Sequence, residues 1–150
     1  MKIVIASDHA GFIYKNILLK ELQEKGVDIT DLGVYDTTPA DYPDCAESVA
    51  NAISGGQAER GILICGSGVG VSVAVNKFKG IRGGVCHDTY SAHQCVEHDD
   101  ANVLCIGERV IGIEPAREIV AAFLNAKFTH EERHQRRLDK INAIEAKNMK

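Results

Sequence analysis

Chemistry is most concentrated in the stretch Cys65-Gly66-Ser67-Gly68-Val69-Gly70, which follows directly on the apolar run Gly61-Ile62-Leu63-Ile64. Closely spaced glycines let backbone N–H groups approach an anion, and a helix starting after them adds partial positive charge. Such a loop suits a bound phosphate, an oxyanion that exists only during reaction, or a plain tight turn. It is not a dinucleotide fingerprint. Gly66 and Gly68 begin a G-x-G-x-x-G, but Val71 takes the third glycine position and the loop follows the third strand rather than the first. No Gly-Lys-Ser/Thr follows, so it is not a P-loop either. Thiols beside helix N-termini act readily as bases or nucleophiles, which singles out Cys65 among the five cysteines. Arg133 and Arg137 are four residues apart and share one helix face, where both can reach a single phosphate dianion. The same pair also reads as a solvated basic patch, with Arg136 joining it or pointing away. His9 and His98 are either proton carriers or ordinary loop histidines.

These groups need elements to position them. The chain alternates short apolar runs with amphipathic segments: strands near 2–7, 27–31, 61–65, 81–86 and 102–106, and helices near 12–25, 43–54, 69–77, 89–97, 114–126 and 131–147. Strand-helix alternation at this spacing predicts a Rossmann-like three-layer α/β/α sandwich around a five-stranded parallel sheet. Ligands of such sheets bind beyond the carboxyl ends of the strands. There the sequence delivers Asp8-His9-Ala10-Gly11, the glycine loop, His87-Asp88 and Gly107-Glu108-Arg109, while His98-Asp99-Asp100 comes just before the fifth strand. In the last helix Leu138, Ile141 and Ile144 form an apolar stripe that wants a partner.

Bulk properties narrow the function. With 150 residues, 45% of them hydrophobic, the chain is long enough for one domain, 1–150, around one core. Lys and Arg number 17 against 21 Asp and Glu, a net charge of −4, so no broad basic field attracts nucleic acid or an anionic membrane. No apolar run approaches the ~18 residues of a membrane span, and the start MKIVIASDHAG lacks a signal-peptide pattern. A cytoplasmic protein is expected. Cys45, Cys65, Cys86, Cys95 and Cys105 are an odd set without a CxxC pair, which points to reduced thiols rather than a disulfide framework or zinc site. Cys86 and Cys105 read as small buried hydrophobes.

Taken together, Ser7-Asp8-His9-Ala10-Gly11, Asp41-Tyr42-Pro43, Ile64 through Gly70, Asn76-Lys77, Gly80-Ile81-Arg82, His98, Ala101 through Leu104, Gly107 through Gly112 and Arg133-His134 resemble the type B ribose-5-phosphate isomerases. That family also holds the galactose-6-phosphate isomerase subunits. The resemblance spans essentially the whole chain. It implies an aldose-ketose isomerase of the pentose phosphate pathway, free of metal and cofactor, that interconverts D-ribose 5-phosphate and D-ribulose 5-phosphate through a cis-enediolate. It also implies a homodimer, possibly paired into a dimer of dimers, with interfacial sites and the C-terminal helix packed on the partner.

By position, the resemblance makes Cys65 the base between C2 and C1, and the amides of Gly66, Ser67, Gly68, Val69 and Gly70 the enediolate donors. Ser67 would shuttle a proton between O1 and O2, and His98 of the neighbouring subunit would open the furanose. Asp8, His9 and Tyr42 would contact the sugar, with His9 also near the phosphate. Arg109, Arg133 and Arg137 would bind phosphate or polar groups. The chemistry asks for the same parts, because a weakly acidic C–H needs both a base and stabilisation of the oxyanion it leaves. Two departures matter. Val71 stands where some members carry a glutamate base, which leaves Cys65 as the base at the loop; Asp99 replaces the usual asparagine at a substrate-binding position. A 6-phosphate hexose such as allose 6-phosphate is the alternative substrate, and a non-catalytic phosphosugar-binding protein the alternative function.

Overall fold

Successive strand residues point to opposite faces of a sheet, and in this chain both sets are apolar. Ile3, Ile5, Ile62, Ile64, Leu104 and Ile106 join one buried cluster, while Val4, Ala6, Leu63, Cys65, Val103 and Cys105 join another. Strands that are apolar on both faces need cover on both, which crossover helices supply. The computed structural model describes residues 1–149 and has this form. Strands β1 (Lys2–Ser7), β2 (Asp28–Asp31), β3 (Arg60–Cys65), β4 (Gly83–Val85) and β5 (Val103–Gly107) make one parallel sheet in the order β2-β1-β3-β5-β4. Helices α1 (Phe12–Glu24), α4 (Thr89–Asp99) and α5 (Ile113–Asn125) cover the isoleucine-rich face through Leu18, Val96, Ile119 and Phe123. On the other face α2 (Tyr42–Ser54) and α3 (Val69–Val75) pack through Val49, Val71 and Val75. The expected α/β/α sandwich is therefore observed.

From β1 the chain passes to the edge strand β2, and β3 then takes the other side of β1. The connections leaving β1 and β3 diverge to opposite faces, which opens a crevice at their carboxyl ends. A buried lysine holds its rim. Lys15 of α1, fully buried, places Nζ 2.7 and 2.9 Å from the two carboxylate oxygens of Asp31 and 2.5 Å from the carbonyl of Val34. The charge is thus paired where it would otherwise be costly.

Two of the boundary differences from the sequence reading have a visible cause. β4 is shorter because side chains take over ladder positions: the N–H of Arg82 donates to Asn102 Oδ1 and that of Gly83 to Asn76 Oδ1, each at 2.8 Å. α4 is longer and absorbs His98 and Asp99 into its final turn. Asp100 then ends it in the left-handed region at φ 50°, its N–H bonded to Val96 O while that of Ala101 reaches Cys95 O. The last helix, α6 (Glu132–Asn148), lies outside the sandwich. Of its apolar stripe Leu138 is buried, but Ile141 and Ile144 are 40% and 63% exposed. Among the described residues no helix is long and apolar enough to cross a membrane.

Candidate active site

Cys65 is the last residue of β3, and its side chain, 4% exposed, lies on the α2/α3 side of the sheet. The chain then turns sharply at Gly68, whose φ of +79° is open to glycine at little cost. That turn brings the Gly68 N–H back to donate to Cys65 Sγ at 3.1 Å. Ser67 Oγ accepts the Val69 N–H at 3.2 Å, which leaves the hydroxyl proton free to be donated. Two of the five loop amides are therefore used within the loop, whereas those of Ser67 and Gly70 have no protein acceptor among the described residues. Free amides meeting at one point are the arrangement an oxyanion needs.

The start of the next strand's exit supports this loop from below. Gly107 pairs with Cys65 across the sheet, and a Cβ there would lie 2.5 Å from the backbone of Ser67, so the loop rests directly on β5. The Glu108 N–H donates to Cys65 O at 2.9 Å and the Arg109 N–H to Gly66 O at 3.1 Å. Arg109 makes no ion pair among the described residues, and its side chain passes 3.4 Å from where a Gly66 Cβ would sit. It thus brings a free cation to the loop.

Residues following β1 complete the opposite wall. Asp8 Oδ1 caps the short 3-10 turn His9–Gly11, accepting from the N–H groups of Ala10 and Gly11 at 2.9 and 3.2 Å. The His9 ring accepts the Ala40 N–H at Nδ1, 3.0 Å away, which ties the β2–α2 loop to the site. Tyr42, at the start of α2, lays its ring 3.0 Å from the position a Gly70 Cβ would take. Together Asp8, His9, Tyr42, Cys65, Ser67 and Arg109 border a cleft of about 440 Å³, with Gly66 and Gly70 in its floor, within the range of small-ligand pockets.

Four expected residues are elsewhere. α4 begins at the carboxyl end of the sheet and finishes just before β5, so it carries His98 and Asp99 about 14–15 Å along its axis from its first residue, toward the opposite end. There the His98 ring stacks on that of His134, centroids 3.9 Å apart and planes 23° apart, and Nδ1 lies 2.9 Å from Gln94 Nε2. Burial first, then the neighbouring His98 and Arg133, hold His134 below the usual histidine range. Asp99 borders a groove of about 340 Å³ with Ile81, Ile141 and Ile144. Arg133 pairs with Glu131, and Arg136 is held by Glu132, so Arg136 does not join a free cluster. Arg137 is exposed and makes no ion pair among the described residues.

Two further residues have roles that sequence did not assign. His87, just past β4, accepts the Gly107 N–H at Nε2, 2.9 Å away, and so props the strand end on which the glycine loop rests. Burial pushes it below the usual range, against the pull of Asp88. His134 was visible only as a neighbour of Arg133, although its place one turn before Leu138 puts it on the buried face of α6. No group of three or more His, Cys, Asp or Glu side chains suited to a metal ion occurs among the described residues.

Known proteins resemble the chain across nearly its full length. The chain is 48% identical to ribose-5-phosphate isomerase B of Escherichia coli over 144 residues, covering 96% of each. It is 45% identical to D-erythrulose-4-phosphate isomerase of Pectobacterium atrosepticum over 130 residues, 85% of each. Among solved structures, ribose-5-phosphate isomerase B of Clostridium thermocellum superposes with a TM-score of 0.95 at 44% identity, covering 98% of this chain and 99% of that one. The sequence model of the ribose/galactose isomerases matches residues 3–141, a span that takes in both the cleft and the distant histidine pair, and the chain belongs to that family.

Proposed function

We propose that this protein interconverts D-ribose 5-phosphate and D-ribulose 5-phosphate, with Cys65 as the base that moves a proton between C2 and C1. The observation that carries the reading is the loop itself: one sulfur and the uncommitted Ser67 and Gly70 amides meet in a single cleft. Cys65 sulfur removes the C2 proton, and the loop amides take up the negative charge that develops on the enediolate oxygen. Each of these effects contributes roughly two to four powers of ten in rate. Ser67, with a free hydroxyl proton, relays between O1 and O2. Asp8, His9 and Tyr42 orient the sugar, and Arg109 meets its charged or hydroxylated end.

The distant group belongs to the same reaction if the protein works as a homodimer. His98, Asp99, Arg133 and Arg137 then reach the cleft of a second protomer, where His98 protonates the ring oxygen and the arginines hold phosphate. Exposure of Ile141 and Ile144 beside that group supports burial of this end against another copy. The substrates place the activity in the pentose phosphate pathway of the cytoplasm, where five unpaired thiols also stay reduced.

A coupled isomerase assay across ribose 5-phosphate, erythrulose 4-phosphate, allose 6-phosphate and galactose 6-phosphate tests the assignment. The expected outcome is the highest kcat/KM with ribose 5-phosphate. Preference for erythrulose 4-phosphate would place the chain with the P. atrosepticum relative, preference for a hexose phosphate would overturn the pentose assignment, and binding without turnover would leave a phosphosugar-binding protein.

A further inference from the structure

Two cysteines that the isomerisation does not use lie side by side. Cys86 follows β4 and Cys95 sits in α4, with their sulfurs 3.9 Å apart. Both belong to the layer formed with α1, α4 and α5, whereas Cys45, Cys65 and Cys105 belong to the other face, so the sheet separates this pair from the catalytic thiol. We propose that Cys86 and Cys95 are a dithiol modification site that a hydroperoxide converts to an intramolecular disulfide joining the edge strand to α4.

Closing the bond requires the sulfurs to approach to about 2.0 Å, and side-chain torsions rather than backbone travel can supply a change of that size from van der Waals contact. Gly84 leaves room for it, since the nearest atoms to the place its Cβ would occupy are these two sulfurs and the Cys95 Cβ, at 3.6 to 4.0 Å. The two thiols are also unequal. Cys86 is 2% exposed and, as the donor to Cys95, is pushed up by that bond and by burial. Cys95 is half-buried and, as the acceptor, is pulled down by that bond, with Arg60 adding to the effect and burial and Asp99 opposing it. The more accessible thiol is therefore also the more readily ionised, the combination that marks a peroxide-reactive cysteine.

The steps balance with one hydroperoxide. Cys95 thiolate attacks the terminal peroxide oxygen; an S–O bond forms, the O–O bond breaks, and the alcohol or water leaves with a proton. Cys86 sulfur then attacks the sulfenic acid; the S–S bond forms, the S–O bond breaks, and hydroxide departs as water with the Cys86 proton. In sum, two thiols and a hydroperoxide give a disulfide, an alcohol and water.

The test treats the intact protein with cumene hydroperoxide or hydrogen peroxide, blocks remaining thiols with iodoacetamide and digests with trypsin. Cleavage after Arg82 and Arg109 yields one peptide, residues 83–109, containing Cys86, Cys95 and Cys105. The expected peptide has lost two hydrogens, carries a single alkyl group on Cys105, and returns to three alkyl groups after treatment with dithiothreitol before blocking. In the Cys86→Ser protein, Cys95 should instead be trapped as a sulfenic acid by dimedone. Three alkylated cysteines in this peptide at a peroxide dose that already oxidises Cys65 would overturn the proposal. Covalent dimers on a non-reducing gel that disappear in Cys95→Ser would overturn it as well, by showing pairing between molecules.

Discussion

Cys65 differs from the other thiols on its side of the sheet in what touches its sulfur. It receives an N–H from Gly68, whereas Cys45 donates its own S–H to Tyr42 O. Burial pushes Cys45 up to about 12 and raises Cys105 as well, so both stay protonated at neutral pH. Replacing Cys65 with alanine should therefore lower kcat by at least ~100-fold, the lower end of general-base effects, while KM stays close to its original value. Steady-state kinetics decide the point, and near-normal turnover would remove Cys65 as the base. At this scale the sequence was informative because the loop is local: the Cys-Gly-Ser-Gly order points to closely spaced amides and a thiol beside a helix start, suited to a phosphate, an oxyanion or a plain turn. It could not say which amides are free. That depends on Ser67 Oγ and Cys65 Sγ each capturing one, a matter of torsion angles rather than residue order.

At the scale of elements, the glycine loop owes its position to β5 and to the residue that props β5. Gly107→Ala would drive a Cβ into the Ser67 backbone, and overpacking of this kind costs about 1–3 kcal/mol. We expect urea midpoints to fall and kcat to drop along with them, since the displaced backbone carries the proposed oxyanion donors. His87 supplies a pH dependence of definite sign. Its folded-state pKa is depressed by burial, so the folded protein holds fewer protons than the unfolded chain, whose histidines titrate near about 6.5. The stability it contributes is complete above that value and is lost as pH falls through the lower folded-state value. Unfolding midpoints measured from neutral pH into this acidic window should decline less steeply for His87→Gln, whose carbonyl still accepts the Gly107 N–H. An unchanged slope would show that His87 does not set it. The bounds of a short edge element such as β4 are hidden in sequence because Asn76 and Asn102 replace ladder partners, and such side-chain substitutes leave no periodic signal.

For the whole molecule, the cleft and the His98 group lie toward opposite ends of one protomer, and the dimer proposal makes them halves of two shared sites. Mixing two inactive variants puts the shared site to the test. Cys65→Ala and His98→Ala proteins, each nearly inactive, should recover about a quarter of the wild-type activity when unfolded together and refolded, because half of the dimers are mixed and each mixed dimer has one intact site. No recovery would mean that His98 serves its own chain or no site at all. The sequence by itself determined the α/β/α sandwich, the strand ends where the candidate residues gather and the residues of the glycine loop, because hydrophobic period, glycine placement and local spacing act within a few residues. Only the tertiary structure decided that Lys15 lies buried against Asp31 and that His134 stacks on His98. Each of these is a contact between separate elements, made by packing, and sequence spacing does not encode it.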